Sequence, residues 1–302
     1  MLATPAERLP ADVAAWAAEP KWDGFRTIAQ VAGGTVRLRS RRGLDMAAWL
    51  PELHPLADAL AGHTAALDGE LVAFGPDGRP DFGRLQRRRA SRRTQPAADP
   101  VTLLLFDLLF WDGELLLGRP YAERRERLDA LGLAGPAWQT SPSFPGQAPA
   151  LLAATAQQGL EGILVKHLDS RYEPGRRSRW WLKLTHWTEA VFTVGAFVPG
   201  PRGVAALLVG IPDPERPGRL RFAARVDAGL VPASRARLAA LLVPLHDPRN
   251  PFEVDETALA GAGRGGGRPV RVRPQVQVVV RFLGWEAGRL RHPAYRRLHQ
   301  PG

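Results

Sequence analysis

The chain has 302 residues, of which 45% are hydrophobic and 24% are charged, enough for one large domain or two ordinary domains. It contains no cysteine, which excludes disulfides, thiol catalysis and cysteine-ligated metals, and its histidines lack close metal-ligand spacing. No apolar run is long enough to cross a bilayer, and the N-terminal segment lacks the pattern of a secretion signal. We therefore predict a soluble cytoplasmic protein, in which any metal is a hard ion bound by oxygen.

The chain is strongly basic, with a formal net charge of +11 and a sequence pI near 11.1. Such a charge favours a polyanionic partner, although a genome rich in arginine codons produces the same bias. Among the basic residues only Lys21, Lys166 and Lys183 are lysines, and all the others are arginine. Because lysine can lose its proton and act as a nucleophile whereas arginine cannot, these three lysines are candidates for chemistry. The alternative is that these three lysines stand at random positions and have no shared role.

The first part of the chain predicts strands joined by tight turns, followed by two helices. A hairpin is expected just after Lys21, and the basic stretch 87–98 is expected to be a mobile loop. The predicted strands cover residues 25–31, 35–40, 67–74, 101–110 and 162–168, and the predicted helices cover 122–131 and 149–158.

After Trp187 the pattern changes to short strands interrupted by one helix, which is typical of a small oligonucleotide-binding (OB) barrel. We place the domain boundary near residue 188, with one domain over 1–187 and the barrel over 188–302. The glycine-rich stretch 261–267 is predicted to be a flexible loop, because it does not join a strand to a helix. The predicted strands here cover 188–198, 204–210, 219–226 and 270–285, and the predicted helix covers 234–242.

Lys21 lies in the motif K-x-D-G-x-R, which brings Asp23 and Arg26 close to it at a turn before a strand. Such a motif on its own can be an ordinary charged turn. Four further residues add to it. The carboxylate Glu70 is on a predicted strand, Glu161 begins the strand that carries Lys166, and Lys183 lies on a further predicted strand with Trp181. Together they supply a nucleophile, two carboxylates for a divalent ion and cations for phosphate, which suits nucleotidyl transfer.

The ordered set of motifs resembles the ATP-dependent DNA ligases, in the superfamily that includes RNA ligases and messenger RNA capping enzymes. The similarity covers most of residues 19–187 and is weaker toward the end. The segments that carry it are K-W-D-G-F-R from Lys21, S-R-R-G from Ser40, W-L-P-E from Trp49, D-G-E from Asp68, L-L-F-D-L-L-F-W-D-G from Leu104, E-G-I-L-V-K from Glu161 and Y-E-P-G-R-R-S-R-W-W-L-K-L from Tyr172.

The resemblance implies an α+β fold, with an adenylation domain of antiparallel sheets and helices followed by the OB barrel. It also implies that Lys21 takes AMP from ATP, with Mg²⁺ or Mn²⁺, and passes it to the 5′-phosphate of a nick. By similarity, Glu19 reads the adenine edge and Phe106 stacks on the base. The implied roles of the other residues are cofactor binding for Arg26, Arg41, Glu70, Lys166 and Lys183, metal binding for Glu70 and Glu161, catalysis for Asp23, Arg26 and Lys183, and nucleic-acid binding for Arg41, Arg87, Arg88, Arg89 and Arg291.

Two departures from the family pattern concern the phosphates. The fifth motif has Thr185 where a second lysine is usual, and the last motif keeps Arg291 and Pro293 but lacks the acidic-lysine ending. An RNA ligase, a capping-type guanylyltransferase and a non-catalytic nucleic-acid-binding homologue therefore remain alternatives. The expected partners are nicked double-stranded DNA and end-joining or repair proteins such as Ku, with no membrane. A monomer associated with the nucleoid is expected.

Overall fold

The computed structural model describes residues 1–91, 99–254, 267–286 and 288–300. The chain divides into two compact units, Met1–His186 and Trp187–Gly302, so the division falls one residue before the boundary expected from the sequence. Within the described residues, no helix has the length and apolar character needed to span a membrane.

The first unit contains two sheets. The five-stranded sheet has the order β1-β11-β10-β2-β9, and the six-stranded sheet has the order β4-β3-β5-β6-β7, with β8 parallel to β6. The strands are β1 (Leu2–Pro5), β2 (Trp16–Pro20), β3 (Phe25–Ala32), β4 (Thr35–Ser40), β5 (Ala65–Ala73), β6 (Val101–Trp111), β7 (Glu114–Leu115), β8 (Trp138–Thr140), β9 (Phe144–Pro145), β10 (Gly162–His167) and β11 (Arg177–Thr185). The helices are α1 (Leu56–Ala59), α2 (Phe82–Ser91), α3 (Tyr121–Ala130) and α4 (Ala148–Gln157), with 3₁₀ turns at Val13–Ala15, Ala47–Trp49 and Pro51–Leu53.

The two sheets pack face to face and helices cover their other faces. Between the sheets, Ala17 and Trp181 of the five-stranded sheet meet Phe106 and Leu109 of the six-stranded sheet. The far side of the six-stranded sheet packs on α1, α2 and α3, and the far side of the five-stranded sheet packs on α4. Alternating side chains of each strand therefore serve two different layers. Polar residues on the facing sides are consequently held in the interior of the unit.

The second unit is built on a sheet with the order β14-β13-β12-β16-β19, with β15 paired to β12 and a separate hairpin of β17 and β18. Its apolar core lies among these strands and α5. The elements are β12 (Thr188–Gly200), β13 (Gly203–Pro212), β14 (Leu220–Val226), α5 (Pro232–Leu242), a 3₁₀ turn at Val243–Leu245, β15 (Val270–Arg271), β16 (Gln277–Phe282), β17 (Gly284–Glu286), β18 (Arg289–Arg291) and β19 (Ala294–Leu298).

The predicted α+β class is confirmed, and the predicted hairpin forms as β3 and β4. Two predictions of local structure are wrong. The single strand expected over 270–285 is divided into β15, β16 and β17. The break between β15 and β16 lies at Pro274, which has no amide hydrogen to donate to a neighbouring strand. The next amide, that of Gln275, instead donates to the carbonyl of Arg273 in a tight turn. The basic loop expected over 87–98 begins as the last half of α2, and residues 92–98 lie outside the described residues. So do 261–266 of the expected glycine-rich loop.

Candidate active site

Lys21 follows directly after β2 and is fixed at its backbone by a hydrogen bond of 2.9 Å from its amide to the carbonyl of Gly162. Its Nζ lies 2.5 Å from Oε1 of Glu161, and the two side chains are 19% and 13% exposed. Close approaches explain the glycines of both motifs. A Cβ on Gly24 would lie 2.1 Å from the carbonyl oxygen of Leu71, and one on Gly162 would lie 2.0 Å from that of Leu184.

Lys21 lines a cleft of about 1450 Å³ in the first unit, together with Lys183, Glu70, Arg26 and Arg41. Burial lowers the pKa of Lys183, and the nearby charge of Lys21 lowers it further. The positive charges of the two lysines thus repel each other, and the carboxylate of Glu161 offsets this only in part. A phosphate group is the kind of ligand that relieves this repulsion.

Glu70 on β5 is the register partner of Arg26 on β3. Burial raises the pKa of Glu70 to about 8, against the opposing effect of the cations Arg26 and Lys21, and Asp23 also contributes to the rise. The structure therefore places Asp23 within electrostatic reach of Glu70. A carboxyl group that is held protonated near neutral pH becomes a ligand only when a cation replaces its proton.

The set of donors fits a magnesium-type ion bound through few protein ligands. Glu70 lies on β5 and Glu161 directly precedes β10, and both carboxylates lie near Lys21. Within the described residues, no group of three or more histidine, aspartate or glutamate side chains could hold a metal. Mg²⁺ commonly uses one or two carboxylates and fills its shell with water and substrate phosphates. Glu70 lines the cleft, and Glu161 forms an ion pair with Lys21, which also lines it.

Arg26 is held by a buried network that the sequence did not reveal. Its guanidinium donates two hydrogen bonds of 2.6 Å to the carboxylate of Asp68, which is fully buried and also accepts one of 2.7 Å from the Tyr172 hydroxyl. The guanidinium also lies 4.8 Å from the ring centre of Phe106 and 5.7 Å from that of Trp181. The arrangement fixes the position of Arg26 at the end of the cleft.

Glu19 and Lys166 form a second buried pair, with Nζ of Lys166 2.8 Å from Oε1 of Glu19. The Tyr121 hydroxyl donates to the same carboxylate, and the ammonium lies 4.3 Å from the Phe106 ring centre and 4.4 Å from that of Trp181. Burial lowers the pKa of Lys166. Glu19 is 1% exposed and Phe106 is 4% exposed. In this structure the two residues expected to contact adenine therefore present almost no surface.

The arginines expected to bind nucleic acid differ sharply in their surroundings. Arg88 is 2% exposed and its guanidinium binds Glu52 at 2.9 Å and the carbonyl of Trp49 at 3.1 Å, so its assignment to an exposed basic loop is wrong. Its neighbours on α2, Arg87 and Arg89, are exposed, and Arg89 lines the cleft.

The remaining expected arginines lie on a turn and on a hairpin. Arg41 follows β4 in a turn closed by a hydrogen bond from the Gly43 amide to the Ser40 carbonyl. In the second unit, Arg291 lies on β18, 3.4 Å from the carboxylate of Glu286.

Three residues that matter to the cleft were not singled out as site residues from the sequence. Asp68 was recognised only as part of D-G-E, and Tyr121 and Tyr172 carried no separate signal. All three are buried. Asp68 and Tyr121 are hydrogen-bonded to the predicted residues Arg26 and Glu19, and Tyr172 is hydrogen-bonded to Asp68. Their roles become visible only when the two sheets are packed together.

The two-sheet unit with its lysine cleft, followed by a barrel, has the architecture of a covalent nucleotidyltransferase domain joined to an OB domain. A model of the ATP-dependent DNA ligase domain matches residues 1–185, and a model of the ATP-dependent DNA ligase C-terminal region matches residues 200–300. The chain therefore belongs to the ATP-dependent DNA ligase family.

Individual relatives agree with this family. The multifunctional non-homologous end joining DNA repair protein LigD of Mycobacterium tuberculosis H37Rv is 38% identical over 304 residues, covering 99% of this chain and 38% of the relative. LigD of Pseudomonas aeruginosa is 35% identical over 266 residues, covering 86% of this chain and 30% of the relative. A mycobacterial DNA ligase D structure complexed with ATP and MES is 36% identical, with a TM-score of 0.59 over 99% of this chain and 93% of that chain. The chain thus spans less than two fifths of the full-length relatives.

Proposed function

We propose that this chain seals nicks in double-stranded DNA by carrying AMP covalently on Lys21. The observation that carries the proposal is the position of Nζ, 2.5 Å from Glu161, in a cleft that also contains Lys183, Arg26 and Glu70. The three steps of the reaction follow from what each of these groups can do.

In the first step, Nζ of Lys21 attacks the α-phosphorus of ATP. A phosphorus–nitrogen bond forms, the bond from that phosphorus to the bridging oxygen breaks, and pyrophosphate leaves. The attacking amine must be neutral, and Glu161 is placed to hold the proton that it gives up. Lys183 stabilises the charge that develops on the phosphate oxygens. Glu70 and Glu161 would hold a divalent ion, which supplies further neutralisation of phosphate charge when bound.

In the second step, an oxygen of the 5′-phosphate at the nick attacks the phosphorus of the lysyl-AMP. The phosphorus–nitrogen bond breaks and the amine of Lys21 is restored. In the third step, the 3′-hydroxyl attacks the 5′-phosphorus, the phosphodiester forms and AMP leaves. Arg26 and Arg41 are proposed to orient the ribose and the strand ends. Arg26 already uses Nε and Nη2 on Asp68, which fixes its position, whereas Arg41 can offer a bidentate guanidinium to phosphate.

We also propose that Glu19 and Phe106 recognise adenine, which requires both side chains to become accessible. Because both side chains are nearly inaccessible, base binding requires them to separate from Lys166. Lys166 is accordingly proposed to position Glu19 from behind and not to contact the triphosphate directly. Lys166→Met would then raise the KM for ATP more than it changes the sealing of a pre-adenylated nick.

The test of the proposal is covalent labelling with α-labelled ATP, followed by mapping of the modified peptide. Lys21→Arg keeps the charge but removes the nucleophile, so we expect a loss of adduct of at least about a thousandfold. Lys183→Arg is the matched control, because it should slow labelling without removing the attachment site. AMP found on Lys166 or Lys183, or labelling from GTP in place of ATP, would contradict the proposal.

We further propose that the chain works as a monomer in bacterial end joining, at the nucleoid in the cytoplasm. The names of the relatives that align over most of the chain support the role in end joining, since they are end-joining proteins. Residues 1–187 are proposed to be the adenylation domain and 188–302 the OB domain. Stimulation of end sealing by a Ku-type end-binding protein, with nick sealing as the reference reaction, tests the partnership.

A further inference from the structure

A second groove, of about 1130 Å³, lies on the face of the six-stranded sheet that is turned toward the five-stranded sheet. Strand register sets one row of side chains across its floor, because Arg37 pairs with Gln30, Gln30 with Ala66, Ala66 with Phe110, and Phe110 with Leu115. All five residues line the groove. One end of the row is cationic, the middle is an amide and the other end is apolar.

The groove carries positive charge without any compensating carboxylate among its lining residues. Arg26, Arg37, Arg41 and Arg177 line it, and no aspartate or glutamate does. Arg26 is already bound to Asp68, and Arg177 donates to a backbone carbonyl. For Arg37 and Arg41 the described part of the chain offers neither a carboxylate nor a carbonyl partner. The wall of the groove is therefore suited to an anion from outside.

The groove is continuous with the active-site cleft. Leu2, Arg26, Ser40, Arg41 and Arg177 line both. A chain of phosphates that leaves the reacting atoms can thus pass Arg41 and enter a groove that no aspartate or glutamate lines. Continuity with the cleft, combined with the charge, favours a nucleic-acid strand over a small anion.

The apolar end of the row decides which form of nucleic acid fits. Leu115 is 64% exposed, and the Phe110 ring beside it is partly exposed. A fully paired duplex presents phosphates and groove edges, and it keeps its base faces stacked inside. An unpaired strand offers phosphates to the arginines and base faces to apolar side chains at the same time, the combination that single-strand-binding sites use.

We propose that this groove binds unpaired nucleotides of a strand end at the break, with phosphates on Arg37 and Arg41 and bases against Phe110 and Leu115. The inference rests on the proposed function, because the strand must leave a nick held in the active-site cleft. It adds a second binding site to the first unit, one that distinguishes a flapped or overhanging end from a perfectly paired nick.

The test compares the binding of two DNAs by the whole chain, using fluorescence anisotropy at low salt. One is a fully paired nicked duplex, and the other carries a short unpaired flap at the nick, on the 5′ or the 3′ side. Gln30→Glu is the sharpest variant, because Gln30 is exposed in the middle of the row and the change adds one negative charge with almost no change in shape. Gln139→Glu is its matched control, being exposed on β8 and outside both clefts.

Wild-type protein should prefer the flapped DNA, and Gln30→Glu should lose about fivefold in affinity for it while binding the paired nick as before. Leu115→Ser should weaken flap binding through the loss of base contact, with an unchanged salt dependence. Equal binding of the two DNAs by wild type, or equal loss for both in Gln30→Glu, would overturn the inference.

The outcomes separate this inference from the proposed function. Wild type that forms the Lys21 adduct and binds the paired nick, but shows no preference for the flap, overturns the inference alone. Wild type that forms no adduct and binds neither DNA overturns both. Gln30→Glu that keeps full flap affinity but loses binding of a polyglutamate peptide would assign the groove to an acidic protein segment and would also overturn the inference.

Discussion

The charged residues of the active-site cleft fall into two groups that differ in how their charges are compensated. We call these groups the two halves of the cleft, although Arg26 of the first pairs with Glu70 of the second across β3 and β5. Around Arg26, the carboxylate of Asp68 and the hydroxyl of Tyr172 satisfy the charge internally, and Asp68 is fully buried. Around Lys183 and Glu70, the charges are only partly compensated, and burial lowers the pKa of Lys183 and raises that of Glu70. The first half is built for fixed geometry. In the proposed reaction, the second half gains its missing partners from nucleotide phosphates and a cation, so its chemistry would depend on the ligand.

The largest effect on folding is expected where the charges are satisfied internally. Asp68→Asn replaces the carboxylate that Arg26 and Tyr172 share, so the free energy of unfolding should fall by about 3 kcal/mol, because the Arg26 guanidinium loses a fully buried anionic partner. Chemical denaturation measures this change.

The control for Asp68→Asn is Arg41→Ala, which removes an exposed arginine of the same cleft. It should alter the free energy of unfolding by no more than about 0.5 kcal/mol. If Asp68→Asn proves as stable as wild type, the contrast between the two halves of the cleft is wrong.

The pH dependence of folding should identify the uncompensated half. The pKa of Glu70 rises from an ordinary value of 4.5 to about 8, so the folded state retains a proton that the unfolded state releases. Its contribution to stability is therefore complete below about pH 4.5 and is lost as pH rises through about 8. Without nucleotide, the free energy of unfolding of wild type should decline across this window relative to that of Glu70→Gln.

Parallel pH curves for wild type and Glu70→Gln would show that the carboxyl group of Glu70 titrates normally. Added Mg²⁺ is the control for the cause. A cation that binds Glu70 displaces its proton, so it should reduce the pH-dependent difference in wild type and leave Glu70→Gln unaffected.

The uncompensated half also contains Thr185, which stands where the family pattern usually has a second lysine. Thr185 lies two residues beyond Lys183 on β11, which places both side chains on the same side of the strand. Thr185→Lys should speed self-adenylation by about tenfold through added stabilisation of the phosphates. Sealing of a pre-adenylated nick releases no pyrophosphate, so it should change by no more than about twofold, and in wild type it should be faster than charging with ATP.

The control for charge alone is Gln139→Lys, which adds the same charge on an exposed strand outside the cleft. It should leave the rate of self-adenylation unchanged. Wild type that charges itself faster than it seals a pre-adenylated nick would show that other groups already compensate for Thr185.

The contrast between the two halves also explains what the sequence allowed us to predict. Lys21 and Glu161 were found because lysine is rare in this chain and because both residues lie in short local motifs. The structure shows why those motifs contain Gly24 and Gly162, since a Cβ at either would collide with a backbone carbonyl. Tyr172 was missed as a site residue because its hydrogen bond to Asp68 spans 104 residues, and no local pattern records such a contact. The α+β class followed from the strand and turn patterns and from the resemblance, which carry the backbone design but not the buried pairings between the sheets.

Helix α2 shows the limit of the hydrophobic pattern. Phe82, Leu85 and Arg88 recur at every third residue, and the first two pack on the core of the six-stranded sheet. Because Arg88 is charged, the apolar pattern stops after Leu85, and the sequence therefore predicts a loop from residue 87. Glu52, far away in the sequence, makes burial of Arg88 possible. The mistake therefore came from a buried ion pair, which composition cannot distinguish from a solvated basic run.

The smallest expected effect concerns the exposed arginines of α2. Arg87 and Arg89 are exposed and Arg89 lines the cleft, so both are free to meet DNA phosphates, whereas Arg88 is buried against Glu52. Each phosphate contact contributes about 0.9 to the slope of log affinity against log salt. Changing Arg87 and Arg89 together to serine should therefore reduce that slope by about 2 and leave self-adenylation unchanged.

The control on the same helix is Arg88→Ser. It should instead lower the free energy of unfolding, because it leaves the Glu52 carboxylate without its ion-pair partner. Nicked-DNA titrations over a range of salt concentrations measure the first effect and denaturation measures the second. A double variant with the wild-type slope would mean that neither arginine contacts a DNA phosphate.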